Sequence, residues 1–267
     1  SMLFFVGTYP SFACQRGIEM RFLVDLHTHT VASDHAYSTV NDYVLQADKI
    51  GISMFATTDH GPDVEDAPHP WHFGNLRVIP HIVDNIAILR GVEANIRADG
   101  SLDLEDRYLQ RLDIVLAGFH PSLAPTDAET HTKLAIKVIE SGKVDIFTHL
   151  GNPQYPLDYR KVLECAKANN VAIEINSSSG INTRMGSHDN CVTVAKLCKE
   201  IGNTVSLGSD AHVCYFLGNF KEAEKVIEEA ELSYLDVINT SPVKVLDFLE
   251  SRGHAPIESL RNFFTPF

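Results

Sequence analysis

The chain has 267 residues, 44% of them hydrophobic and 21% charged, a balance that allows a sizeable buried core without disulfides. Its net charge of −13 argues against broad attraction to nucleic acid or an anionic membrane, because both need clustered Lys and Arg. Bound divalent cations are absent from that count and could reverse the field at one spot.

The five cysteines, Cys14, Cys165, Cys191, Cys198 and Cys214, are odd in number and lack C-x-x-C spacing, which points to a reducing cytoplasm. The run Leu3-Phe4-Phe5-Val6 is too short for a signal-peptide core, and no apolar stretch approaches the roughly 18 residues of a membrane helix. A soluble cytoplasmic protein is expected. Ser1 before Met2 reads as a cloning remnant, and Met20 stands directly before the first strong strand. Residues 1–19 are therefore a candidate extension outside the native fold, and 20–267 a single domain, since no linker or charge block divides them.

In chain order, the first expected strand is Arg21 to Leu26. A helix follows near 40–50, opening after Thr39 with Asp42 in the capping position and stopping at Gly51. The second strand, Met54 to Asp59, is halted by Gly61-Pro62 and followed by a long loop bearing Pro and His. The third runs Ile88 to Val92 and the fourth Asp113 to Ala117. The helix after it has Thr126 and Glu129 in reciprocal capping spacing. The fifth, sixth and seventh are Val144–Phe147, Val171–Ile175 and Thr204–Leu207. Helices near 158–169 and 190–201 precede the last two, another lies near 220–230, and a final helix begins at Ser241-Pro242. Regular alternation implies parallel strands joined by right-handed crossovers. No Gly-x-Gly-x-x-Gly follows the first strand and no Walker lysine motif occurs, so a (β/α) barrel of about seven strands is expected in place of a nucleotide-binding sheet.

His27-Thr28-His29 directly follows the first strand, and side chains two apart on extended backbone share a side, so both imidazoles can reach one ion. Alone that pattern proves little. The other strand ends repeat it: Asp59-His60, Glu93, His120, His149, and Gly208-Ser-Asp-Ala-His212, with His35 in the loop after strand one. In a parallel barrel these ends share the face where active sites form. Any one of these histidines is more often an ordinary core or surface residue, but that reading must hold at every strand end at once. Imidazole and carboxylate without thiolate suit zinc, manganese or iron. The ligands exceed the needs of one ion, so two or three ions fit, with Glu93 placed to bridge a pair.

These segments resemble the polymerase and histidinol phosphatase (PHP) superfamily, and within it the YcdX-like phosphatases. The resemblance runs from Met20 to about Ile257 and rests on Asp25-Leu-His-Thr-His-Thr-Val-Ala-Ser33, Thr58-Asp-His-Gly-Pro62, Gly91-Val-Glu-Ala94, Gly118-Phe-His120 and Gly208-Ser-Asp-Ala-His212. It implies a distorted seven-stranded, TIM-like barrel holding three divalent ions, zinc foremost. One ion would take His27, His29, Glu93 and Asp210, a second Glu93, His120 and His149, and a third His35, His60 and His212. Leu150 departs from the family pattern, where proline is expected after the equivalent of His149.

An ion pair can hold a hydroxide between its members and clamp phosphoryl oxygens, so no serine or cysteine nucleophile is needed. The catalytic candidates are Glu93, Asp210, Arg184 and Asp59. Asp59 and Asp25 are candidates for orienting ligating imidazoles, with turn capping as the plainer reading. Arg184 lies in the loop Ser177 to Gly186 after strand six, which brings no histidine; its guanidinium could grip a phosphate, or it is a solvated loop arginine. His69, Trp71 and His72 could close over substrate or lie in a surface loop. His81, His131, His188 and His254 receive no role. The expected partner is a small phosphorylated molecule, with no nucleic acid or membrane and with homo-oligomers allowed. The competing readings are amidohydrolase-type C–N hydrolysis, a proofreading nuclease and a non-catalytic metal-binding protein. Lys143, the lysine nearest strand five, precedes that strand, unlike the bridging lysine of amidohydrolases.

Overall fold

A computed structural model describes residues 22–178 and 184–266. The proposed extension 1–19 lies outside the described residues, as does Arg21, the expected start of the first strand. Seven parallel strands form the wall: β1 (Val24–Thr28), β2 (Met54–Thr57), β4 (Ile86–Asn95), β5 (Ile114–Gly118), β6 (Ile146–Phe147), β7 (Ala172–Asn176) and β8 (Val205–Gly208). They neighbour one another in that order. A two-residue strand, β3 (Ile82–Val83), pairs antiparallel with β4 and was not foreseen, being too short for any alternation to register.

The helices are α1 (Val40–Ile50), α2 (Pro70–Asn75), α3 (Asp106–Leu109), α4 (Ala128–Glu140), α5 (Tyr159–Ala168), α6 (His188–Ile201), α7 (Lys221–Glu229), α8 (Pro242–Ser251) and α9 (Glu258–Phe264). For α1 the expected ends hold: Thr39 and Asp42 form a reciprocal capping box, and Gly51 stops the helix at φ 83°. The cap of α4 is displaced by one residue from the expected Thr126. Asp127 accepts the Thr130 N–H at 2.8 Å, while the Thr126 N–H is taken by His131 Nε2. The helix at Pro242 is not the last, because α9 follows and buries Leu260.

Alternation along each strand stages the interior. On β4, Ala87 and Leu89 belong to the core inside the barrel and Glu93 stands two steps higher, while Val92 and Ala94 pack outward beneath the helices. On β7 the same climb runs Ala172, Glu174, Asn176, with Ile173 and Ile175 outside. Helix α8 closes the bottom by adding Val245, Leu246, Phe248 and Leu249 to the inner core. The lower barrel is thus packed, and polar side chains can gather only at its upper end. On β1 the inner residues Val24 and Leu26 are followed by His27 one residue later, a break in parity where the β1–β2 register shifts between Asp25 and Thr28.

The wall closes between β8 and β1 without a full ladder. At the upper end Asp210 N–H donates to His27 O at 2.9 Å and His29 N–H to Ala211 O at 2.8 Å. Lower down, the buried Asn239 fills the gap: its amide nitrogen donates to Val24 O and Leu207 O, and its oxygen accepts Leu207 N–H. One side chain thereby satisfies backbone groups on both sides of the seam.

Beneath the barrel, the buried carboxylate of Asp145 accepts from Val115 N–H, Arg252 Nε and His254 Nε2. The hydrogen bond to Asp145 raises the His254 pKa above its ordinary 6.5. A raised folded-state value means stability that is full below the unfolded pKa and lost as pH rises through the folded one. His254→Ala should therefore lower the melting temperature most below about pH 6.5, with the gap to wild type narrowing as pH rises above it, as paired thermal melts across a pH series would measure.

Candidate metal centre

All nine residues expected to bind metal gather at the upper end. Glu93, carried on β4 and 1% exposed, lies at their middle. Its Oε2 is 3.0 Å from His27 Nε2 and 3.1 Å from His149 Nε2. Its Oε1 is 3.1 Å from His60 Nδ1, 3.2 Å from His120 Nε2 and 3.7 Å from His29 Nε2. Asp210 Oδ1 stands 3.0 Å from His29 Nε2 and 3.5 Å from His27 Nε2, and those two imidazole nitrogens are 3.1 Å apart. The His60 and His212 rings stack on His29 with centroids 4.2 and 4.3 Å away, and His35 stacks on both, at 5.1 and 4.9 Å.

The donor set fits divalent cations. Ligand atoms about 2.1 Å from one ion and set at tetrahedral to octahedral angles lie about 3.0–3.4 Å apart, the spacing most of these contacts show. His29, His60, His212; His27, His29, Asp210; and His60, Glu93, His120 each bring their donor atoms within 4.8 Å of one another. His29 Nδ1, His60 Nδ1, His120 Nδ1 and Asp210 Oδ1 are buried without a hydrogen-bond partner among the described residues. Orphaned donors and acceptors at this density are costly unless something else satisfies them.

Electrostatics agree. Burial resists ionisation of Glu93, yet the cationic forms of His27 and His120 hold its carboxyl well below the usual range; for Asp210, His27 and Arg184 do the same. Burial, reinforced by His60 and His212, pushes His29 down to about 3, and burial with Arg184 beside it pushes His149 down to about 4. Both rings are therefore neutral and can donate lone pairs at neutral pH. His27 is the exception: burial disfavours its cation, but Glu93, Glu174 and Asp210 together raise its pKa well above 6.5. A pocket that binds a proton so strongly attracts any cation, and metal and proton compete for that nitrogen.

The sequence reading missed Glu174. Its Oε1 accepts from His27 Nδ1 at 2.5 Å, which directs His27 Nε2 at Glu93, and its Oε2 accepts the His149 N–H at 2.9 Å. The signal was present as a carboxylate inside the apolar strand Val171-Ala-Ile-Glu-Ile175. Asn176, two residues on, donates to Glu174 and to Asp210 Oδ2. Gly208 makes room for this pair, because a Cβ there would collide with Glu174 Oε1 and with the His27 Cβ. His149 and Asp210 both hold left-handed backbone, φ 33° and 55°, a cost often found at functional sites. Leu150, the departure from the family pattern, is buried in the outer core.

The other candidates separate. Asp59 accepts from Thr30 N–H, Thr30 Oγ and Ser33 Oγ and lies 3.3 Å from His72 Nε2, so it fastens loops and touches no ligating imidazole. Asp25 accepts from the backbone of His27, Ser209 and Gly218, the turn-capping alternative. Arg184 is a half-buried partner of Asp210 and not a solvated side chain; its Nη1 has no hydrogen-bond partner among the described residues. Residues 179–183 of its loop lie outside the described residues. His69 caps α2 by accepting the Trp71 N–H, and Trp71 is exposed. His81, His131, His188 and His254 bond to Asp113, Pro156 O, Glu229 and Asp145, away from the cluster. Lys143 pairs with Asp106 and not with the cluster.

A parallel barrel with histidines and carboxylates massed at the upper strand ends defines a metal-dependent hydrolase. The PHP domain family model matches residues 25–239. A probable phosphatase of Shewanella pealeana is 54% identical over 241 residues, covering 90% of this chain and 97% of that protein. The probable phosphatase YcdX of Escherichia coli O81 is 51% identical over 236 residues, covering 88% and 96%. Among solved structures, histidinol phosphate phosphatase from Lactococcus lactis, complexed with zinc, L-histidinol and phosphate, superposes with a TM-score of 0.55. It shares 16% identity over 80% of this chain and 95% of its own, a likeness of fold. The chain belongs to the PHP domain family, and is a metal-dependent phosphatase similar to YcdX.

Since a carboxylate behind a metal-ligating imidazole fixes its tautomer and raises its basicity, Glu174→Gln should weaken binding of an added divalent cation about 10- to 100-fold. Competition with a chromophoric chelator would measure the change, and circular dichroism would check that the fold is kept.

Proposed function

We propose that the chain is a phosphomonoesterase whose site takes three divalent ions, zinc foremost, with manganese or iron as alternatives. The observation that carries this reading is the convergence of four imidazole nitrogens within 3.2 Å of the Glu93 carboxylate. His27, His29, Glu93 and Asp210 would hold one ion, Glu93, His120 and His149 a second, and His35, His60 and His212 a third. When bound, such ions supply an attacking hydroxide near neutral pH and offset negative charge building on the phosphoryl oxygens.

The chain's own residues do the rest. Glu93 would keep two ion positions adjacent, and Glu174 holds His27 with its Nε2 turned toward Glu93. Arg184, braced by Asp210, has a free Nη1 to donate to a phosphoryl oxygen, so it orients the substrate and adds a fixed positive charge. Asp59 stands as a positioning group that sets the loop carrying His35. A small phosphorylated substrate fits the zinc, L-histidinol and phosphate of the Lactococcus lactis structure, and the net charge of −13 lends no track for nucleic acid. Among the described residues no helix is long and apolar enough to cross a membrane. The cytoplasm remains our proposed location on the strength of the cysteine pattern.

A panel of phosphomonoesters, with phosphodiesters and amides as controls, tests the reaction class. Activity toward phosphomonoesters should vanish with a chelator and return with zinc or manganese, and Glu93→Ala should lose nearly all of it; activity in metal-free protein would refute the reading. In metal-matched protein, Arg184→Ala should lower kcat/KM roughly 10- to 100-fold, the worth of one or two charged hydrogen bonds. Arg184→Lys should recover only part, since a point charge cannot reproduce the planar fork.

A further inference from the structure

Two ligand histidines have on Nδ1 a carboxylate that is not itself among the nine proposed ligands, and the two pairs differ sharply in setting. His27–Glu174 joins two strands, with side chains 0% and 1% exposed. His35–Asp66 joins two loops at a distance of 2.6 Å, with side chains 46% and 32% exposed. The loops are also tied through their backbones, Asp34 N–H donating to Asp66 O at 3.1 Å. With Nδ1 engaged by Asp66, only Nε2 of His35 is left for a ligand, and the ring already stacks against those of His60 and His212. His212 is held on its own Nδ1 by Asp210 O at 2.8 Å and is itself 29% exposed.

We infer that Asp66 is the positioning residue for the ion position of His35, His60 and His212, and that this outer position is the exchangeable one of the three. The inference rests on the trinuclear reading above. The inner positions are framed by Glu93, His27 and His29, all on or beside strands and shut from water. The outer one depends on two loops whose shared hydrogen bond competes with solvent, so holding His35 in place costs more conformational freedom there. A site of this build gives up its ion first when metal is scarce, while the bridged pair stays filled.

The test loads the enzyme with zinc, titrates it with chelators of graded strength and counts the zinc retained by atomic emission. Wild type should hold three and release one before the other two. Asp66→Ala should release that first zinc with an affinity lowered about 10- to 100-fold and leave the other two unchanged; Asp66→Asn, which keeps a neutral acceptor, should fall between. Glu174→Gln should instead weaken the inner zinc. A wild type saturating at two zinc ions would overturn the trinuclear reading and this inference with it. Three zinc ions released together, or an Asp66→Ala protein that keeps its first zinc as wild type does, would overturn the inference alone. If Asp66→Ala fails to fold, Asp66→Asn decides, and a uniform loss of all three ions from it would also overturn the inference.

Discussion

A single ionised carboxylate, Glu93, sits almost wholly out of water among imidazoles, and the structure around it makes sense only as an answer to that charge. A buried carboxylate without a counter-charge is among the most unfavourable arrangements a protein can hold. Here the neighbours are nitrogen lone pairs and further carboxylates, Asp210 and Glu174, which add to the negative potential. In metal-free protein a proton on His27 and the guanidinium of Arg184 offset part of it. Divalent cations offset it far better, which is why this pocket reads as a binding site and not as a set of structural ion pairs.

The barrel makes such a concentration tolerable by keeping it apart from the hydrophobic interior. Strands β4 and β7 climb in steps of two from apolar residues to polar ones at the upper end, through Ala87, Leu89 and Glu93, and through Ala172, Glu174 and Asn176. The lower layers, sealed by α8, carry the packing. The upper layer is then free to be polar without opening a void in the core.

Much of this was legible in the sequence because the same rule acts at every strand. Parallel strands put their C-terminal ends on one face, so His27, His60, Glu93, His120, His149 and Asp210 could be brought together from position alone. Glu174 escaped that reading because attention to strand ends passes over a residue in mid-strand, although a carboxylate between Ile173 and Ile175 is itself a mark of a buried polar partner. Asp66 escaped because its link to His35 spans two loops, and nothing in their composition fixes how they meet. The one-residue shift of the α4 cap has a similar origin: Thr126 and Asp127 are both good caps, and the choice is settled by His131, a tertiary contact. Asp59 and Asp25 follow an Asp-at-the-ligand pattern in sequence, yet their oxygens are consumed by backbone and hydroxyl donors.

The seam between β8 and β1 gives the fold a property that a closed hoop of strands would lack. Among the described residues a few backbone hydrogen bonds, the amide of Asn239 and the side chains of Asp25 and Ser209 join its two edges. At the upper end those edges carry His27 and His29 on one side and Asp210 and His212 on the other. A cation bound among them would draw both margins toward a common centre, so the cargo would act as a clasp on the hoop. Shape and content would then support one another: the ring presents the ligands, and what the ligands held would reinforce the seam.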